Sequence, residues 1–327
     1  METTERLNQI LKAFKIKAIC LSAGNSASYS FFDLHLFPNA KVKDIQKYSD
    51  EISLALRAPG KPSFKILHQQ GIVRMEFANH SHQHLNLLDY FTNNEPEGDL
   101  ICLLGQTVEG NQVWMDLLQN PHLLVSGTTG SGKSTLLHNI IANIFNYNDA
   151  YLFLIDPKKI DFNLYQGIRE TQVFYTYDET IEFLGSMLEI MEDRFAKIRA
   201  GWSLASFKPI VIIIDEFADL IMQDKNDLFF NRLCRLSQKC RAAKISIVLA
   251  TQRPSVNIIN GVIKANFPAR ISCKVASHVD SKVILDAPGA ENLLGWGDAL
   301  LKDNFRSLER FQVAYTTPTE VASYFGA

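Results

Sequence analysis

The stretch Gly127-Thr128-Thr129-Gly130-Ser131-Gly132-Lys133-Ser134 constrains this chain more than any other. It matches GxxxxGK[ST], it follows the apolar run at 122–126, and it opens a helical pattern over 133–145. Glycines let the backbone wrap tightly enough for several N–H groups to face one anion. The helix behind them adds its positive N-terminal end. Such a loop is expected to hold nucleoside-triphosphate phosphates, so ATP and Mg2+ are the cofactors implied. Thr128, Thr129, Gly130, Ser131, Gly132, Lys133, Ser134 and Thr135 form the expected cradle. Lys133 would reach the β- and γ-phosphates, and Ser134 would ligate Mg2+.

Around that loop, apolar runs at 122–126, 151–155, 210–214, 245–250 and 269–275 alternate with helical patterns at 133–145, 178–199 and 226–243. Nearly continuous apolar strands are expected where both sheet faces are covered, and strand–helix alternation predicts a mainly parallel, doubly wound α/β sheet. Residues 1–100 read differently. A short amphipathic helix at 7–14 precedes strand-like runs at 17–21 and 28–36, a helix at 42–56, and extended runs at 64–67 and 73–77. This predicts a small α+β domain over 1–100 ahead of an α/β domain over 101–327.

The length of 327 residues suits two domains, and 46% hydrophobic with 21% charged residues is ordinary for a globular chain. A net charge of −2 neither advertises a nucleic-acid binder nor excludes one that grips DNA only in a central pore. Five scattered cysteines without a CxxC pair read as reduced, partly buried thiols. No run approaches 18 apolar residues, and the N-terminus has no signal-peptide design, so the expectation is a soluble, cytoplasmic protein without a membrane segment.

A second constellation is Ile210-Val211-Ile212-Ile213-Ile214-Asp215-Glu216. A buried strand delivers carboxylates at its C-terminal edge, where open α/β sheets bind ligands. Asp215 would hold Mg2+ through water, and Glu216 would orient or deprotonate an attacking water, which favours hydrolysis over plain phosphoryl transfer. Gln252, in Ala250-Thr251-Gln252 after the next strand, is placed to sense the γ-phosphate. Arg241, Arg253, Lys264 and Arg270 flank that strand, as an arginine finger, as contacts to nucleic-acid phosphates, or as solvated charge. The alternating histidines His80, His82 and His84 sit among loop-like residues and read as a loop before a metal site. Trp114, Trp202 and Trp296 read as packing residues.

With those residues in view, the chain resembles the FtsK/SpoIIIE family of DNA translocases. The similarity lies in residues 116–134, in Leu154-Ile155-Asp156-Pro157-Lys158-Lys159, and in Met191-Glu192-Asp193-Arg194-Phe195. It is densest over 249–269 and continues through Asp280-Ser281-Lys282, Ile284-Leu285-Asp286 and 294–298. The resemblance implies a RecA-like P-loop ATPase motor domain, preceded by the family's small domain. It further implies a homo-hexameric ring that threads double-stranded DNA. Glu216, Lys133 and Gln252 would serve the chemistry, with Arg241 looking toward a neighbour's nucleotide and Arg253 and Lys264 facing DNA. The sequence departs from the family at Lys244-Ile245-Ser246, at His278 and at Lys282. That leaves Arg241, Arg270, His278 and Lys282 as candidates for the residue acting in trans. No anchor or winged-helix reader is read in the chain, so service to a plasmid, phage or other mobile element is expected. The alternative is a protein-secretion or conjugative coupling ATPase on the same fold.

Overall fold

The computed structural model describes residues 2–25, 29–79, 85–91, 97–147, 149–306 and 308–326. They divide by compactness into residues up to 84 with 106–111, and residues 85–105 with 112–327.

In the smaller unit, helix α1 (Glu2–Ala13) places Leu7 and Leu11 one turn apart and both are buried. Strands β1 (Ala18–Asn25) and β2 (Tyr29–Leu36) follow, then helices α2 (Val42–Gln46) and α3 (Ser49–Leu56), then strands β3 (Ser63–Leu67) and β4 (Ile72–Ala78). The strands form an antiparallel sheet in the order β1-β2-β4-β3. Phe32, Leu34, Val73, Met75 and Phe77 pack with Ile45 and Ile52 from the helices. The single helix expected over 42–56 is broken in two. Tyr48 leaves helical geometry to stack its ring on Phe14 at 5.0 Å, and the Ser49 hydroxyl donates to the Gln46 carbonyl at 2.7 Å.

The larger unit is built on a ten-stranded sheet. Its elements are β5 (Ile101–Thr107), β6 (Gln112–Asp116), β7 (His122–Ser126), α4 (Lys133–Tyr147), β8 (Tyr151–Ile155), β9 (Gln172–Phe174) and α5 (Tyr177–Arg199). There follow β10 (Ile210–Ile214), α6 (Phe217–Gln223), α7 (Leu228–Lys239), β11 (Ile245–Thr251), α8 (Gly261–Asn266), β12 (Ala269–Cys273), α9 (His278–Leu285), β13 (Asp298–Lys302), β14 (Glu309–Val313) and α10 (Pro318–Phe325). The strand order is β6-β5-β14-β13-β12-β7-β11-β10-β8-β9. From β12 to β9 every neighbour is parallel, which is the doubly wound core the apolar runs predict.

Period-two alternation sends the residues of β10 to opposite faces. Val211 and Ile213 join Leu136, Leu137, Ile140 and Ile141 of α4 on one face, while Ile210, Ile212 and Ile214 meet Leu184, Met187 and Met191 of α5 on the other. Buried Arg194 of α5 donates to the Ala243 carbonyl at 2.6 Å and the Lys208 carbonyl at 2.8 Å, tying the helix to the entries of β11 and β10. Beyond β12 the sheet turns antiparallel through β13 and β14. There a buried Arg310 grips Asp298 in two bonds of 2.9 and 2.6 Å.

Candidate nucleotide site

Sheet order assembles the site. Strand β11 lies between β7 and β10, so the phosphate-loop strand, the Gln252 strand and the acid-pair strand end side by side. The loop after β7 is anchored through its flanks and its carbonyls. Gly127 N–H donates to the Thr251 carbonyl at 3.3 Å, and both the amide and hydroxyl of Thr128 donate to the Lys274 carbonyl, at 2.9 and 3.1 Å. The turn before β13 closes on it: Trp296 N–H reaches the Gly130 carbonyl at 3.2 Å and Gly297 N–H the Ser131 carbonyl at 2.9 Å. Carbonyls are the half of each peptide that an anion does not need. Gly132 has φ +102°, and a Cβ there would collide with the Gly297 backbone, so this position requires glycine for both reasons.

Lys133, buried at the start of α4, donates to the Asp215 carbonyl at 3.1 Å and forms an ion pair with its carboxylate. Among the described residues the second Asp215 oxygen, Oδ2, is buried with no hydrogen-bond partner, as is the Ser131 hydroxyl. A buried carboxylate oxygen without a donor is what a hard divalent cation or its bound water satisfies, and Ser134 stands partly exposed beside Lys133 in the first turn of α4. The residues present therefore fit Mg2+. Asp161 adjoins this group, and its carboxyl is pushed up to about 6 by burial and then by the Asp215 charge. His138 of α4, bonded to the Tyr165 hydroxyl at 3.0 Å, is lowered to about 4 by burial.

Glu216 is almost wholly enclosed. Its Oε1 accepts from the Thr251 hydroxyl at 2.6 Å and its Oε2 from the Gln252 amide at 3.0 Å and the Lys158 ammonium at 3.1 Å. The Gln252 side chain accepts from the Thr129 hydroxyl at 3.3 Å, so one residue touches both the phosphate loop and Glu216. The structure thus brings Thr128, Thr129, Gly130, Ser131, Gly132, Lys133, Ser134, Thr135, Asp215, Glu216 and Gln252 to one sheet edge. Sequence reasoning missed Lys158, Asp161 and Thr251 as members of this group. For Lys158 and Thr251 the signal was present in Asp156-Pro157-Lys158 directly after β8 and in Ala250-Thr251-Gln252 at the end of β11.

The remaining cations are dispersed. Arg241 is exposed in the 3-10 turn before β11, at the strand's opposite end from the phosphate loop. Arg253 is exposed just past β11, while the Lys264 ammonium is bound to Asp286 at 2.8 Å. Arg270 is not available as a finger. It is buried, ion-paired with Asp286, and bonded to the Phe267, Ile284 and Lys264 carbonyls at 3.1, 3.3 and 3.0 Å. His278 and Lys282 are exposed one turn apart on α9. Lys244, where the family pattern has glycine, sits at φ +54° and pairs with Asp99 at 3.3 Å. His80, His82 and His84 lie outside the described residues, and among the described residues no cluster of three or more His, Cys, Asp or Glu could hold a metal. The packing role expected of the tryptophans holds for Trp114 against Tyr147 but not for Trp296, which is 69% exposed while its backbone N–H is bound to the phosphate loop. Trp202 is also exposed, stacked on Phe207 at 6.1 Å.

A family model described as the FtsK/SpoIIIE family matches residues 87–205 and 199–256. The chain is 35% identical over 317 residues to the DNA translocase FtsK of Borreliella burgdorferi, covering 90% of this chain and 40% of that protein. It is 33% identical over 355 residues to the DNA translocase SpoIIIE of Bacillus subtilis, covering 98% and 44%. The chain spans less than half the length of these curated relatives. Among solved structures, the pCW3 conjugation coupling protein TcpA, in a monomer form with ATPγS, superposes with a TM-score of 0.69 at 18% identity, covering 99% of both chains. The type VII secretion ATPase EccC of Thermomonospora curvata gives 0.61 at 23% identity over 72% of this chain and 32% of that one. These likenesses show the P-loop ATPase fold. No helix among the described residues is long and apolar enough to cross a membrane.

Proposed function

Because the chain belongs to the FtsK/SpoIIIE family, we propose that it hydrolyses ATP to move double-stranded DNA, working as a homo-hexameric ring. The observation that carries this reading is the Gln252 bridge, which bonds Thr129 of the phosphate loop through its side chain and Glu216 through its amide. In this reading the loop amides and Lys133 bind the triphosphate, and Ser134 and Asp215 would hold Mg2+, which would supply positive charge against that developing on the phosphates. Glu216 takes a proton from the water that attacks the γ-phosphorus, and the bond to the ADP oxygen breaks. Departure of the γ-phosphate alters what Thr129 and Gln252 bind, and Arg253 is the next residue in the chain. Arg253 and Lys264 then meet DNA phosphates, a contact blind to sequence and weakened by salt.

The test is ATPase rate with duplex DNA, with single-stranded DNA, and with neither. Strong stimulation by duplex alone is expected, falling as salt rises. Indifference to all DNA would overturn the reading and favour a polypeptide-moving ATPase. Lys133→Ala is expected to abolish nucleotide binding. If Arg253→Ala and Lys264→Ala left duplex stimulation intact, the DNA assignment would fail.

A further inference from the structure

We propose that Lys158 is a latch on the hydrolytic carboxylate, a positioning residue that holds Glu216 away from water and so restrains hydrolysis. The inference rests on the reading of Glu216 as the base. A carboxylate offers about four acceptor sites, two on each oxygen. Here Oε1 takes the Thr251 hydroxyl at 2.6 Å and a longer contact from the Gln252 amide at 3.3 Å. Oε2 takes the same amide at 3.0 Å and the Lys158 ammonium at 3.1 Å. Three donors thus meet the two oxygens, the single Gln252 N–H being shared between them, and both lone pairs of Oε2 face a donor while Lys158 is bound.

One donor must withdraw before Glu216 can act, and the three are not equally free to do so. Thr251 is buried as the last residue of β11, and the Gln252 amide is backbone at the same strand end. Lys158 stands on the loop after β8, with 31% of its side chain exposed and four rotatable carbons behind its charge. It is the donor that can leave, and Coulomb attraction between a buried carboxylate and a half-exposed ammonium sets a threshold for leaving. Strands β8 and β11 flank β10 on its two sides, so the latch and its fixed counterparts reach Glu216 from opposite directions. Loss of Lys158 leaves Thr251 and Gln252 holding the carboxylate in place with a lone pair free.

The experiment is DNA-free ATPase turnover of the full chain carrying Lys158→Ala, with ATP affinity measured separately by equilibrium binding. The rate is expected to rise about fivefold, the equivalent of losing one partly exposed ion pair, with affinity unchanged. Structural damage does not raise a rate. Lys158→Arg, which restores a cation to Glu216, is expected to bring the rate back down. An unchanged or lower rate in Lys158→Ala would overturn the latch. Glu216→Gln separates the two ways of failing: inactive Glu216→Gln with no rise in Lys158→Ala sinks the latch alone, whereas active Glu216→Gln sinks the base assignment. The Lys158→Ala, Glu216→Gln double variant is expected to be inactive, and turnover in it would overturn the latch by showing that the gain does not run through Glu216.

Discussion

Single residues in this fold carry charge burdens that pH can expose. His122 opens β7 fully enclosed, its ring 5.3 Å from that of Phe267. Burial lowers it to about 4, and the positive charge of Arg241 pushes the same way. A base depressed in the folded state is neutral there but takes up a proton on unfolding, so it favours the native state fully only above its ordinary value near 6.5. That stability is lost as pH falls from about 6.5 toward 4. Between pH 7.5 and 5 the loss from this one group amounts to about 2 kcal/mol. His122→Gln is therefore expected to narrow the gap between denaturant unfolding free energies at the two pH values by about that amount, whatever it costs at both. An unaltered gap would mean that His122 takes up a proton as readily in the fold as in the unfolded chain. Asp215 tolerates complete enclosure because Lys133 is bound to it.

At the scale of elements, the parallel core was plain in the sequence because β7, β8, β10 and β11 are mostly apolar runs that end at, or directly before, a polar residue. Strands β13 and β14 were not, since Asp298-Ala299-Leu300-Leu301-Lys302 and Glu309-Arg310-Phe311-Gln312-Val313 carry buried charges that become legible only once Asp298 meets Arg310. Strand β9, three residues long, offers no period to read. Lys158 escaped for a different reason: its partner is 58 residues away, and only the placing of β8 beside β10 joins them. The unforeseen hairpin also supplies the turn that clasps the phosphate loop. Gly297 has φ +89°, and a Cβ there would stand 2.8 Å from the Gln312 amide nitrogen that holds the turn through the Trp296 carbonyl. Gly297→Ala is expected to weaken nucleotide binding about tenfold, the effect of a strain of about 1–3 kcal/mol placed on that turn. Gly201→Ala is the control, because φ is +97° there with open space around it. It should lower the melting temperature and leave nucleotide affinity alone; equal effects on affinity would remove the clasp from the site.

At the scale of the whole molecule, a net charge of −2 says nothing about DNA, because the proposed grip needs only a few cations per subunit in a ring. The proposed ring would give Arg241 a use that its own subunit does not. Arg241 precedes β11, whereas Thr251 and the phosphate loop lie at that strand's far end. Seven strand residues span about 23 Å, several times the reach of an arginine side chain, so Arg241 cannot serve the nucleotide of its own subunit. If it acts on a neighbour's ATP, a subunit lacking Arg241 still binds nucleotide, and one lacking Lys133 still offers its arginine. Mixed rings of Lys133→Ala and Arg241→Ala subunits would then contain some interfaces with an intact loop on one side and an intact arginine on the other. ATP turnover of the mixture in the presence of duplex DNA is expected to exceed the sum of the two variants assayed apart. Turnover equal to that sum would assign Arg241 to the surface and leave exposed His278 and Lys282 on α9 as the candidates in trans.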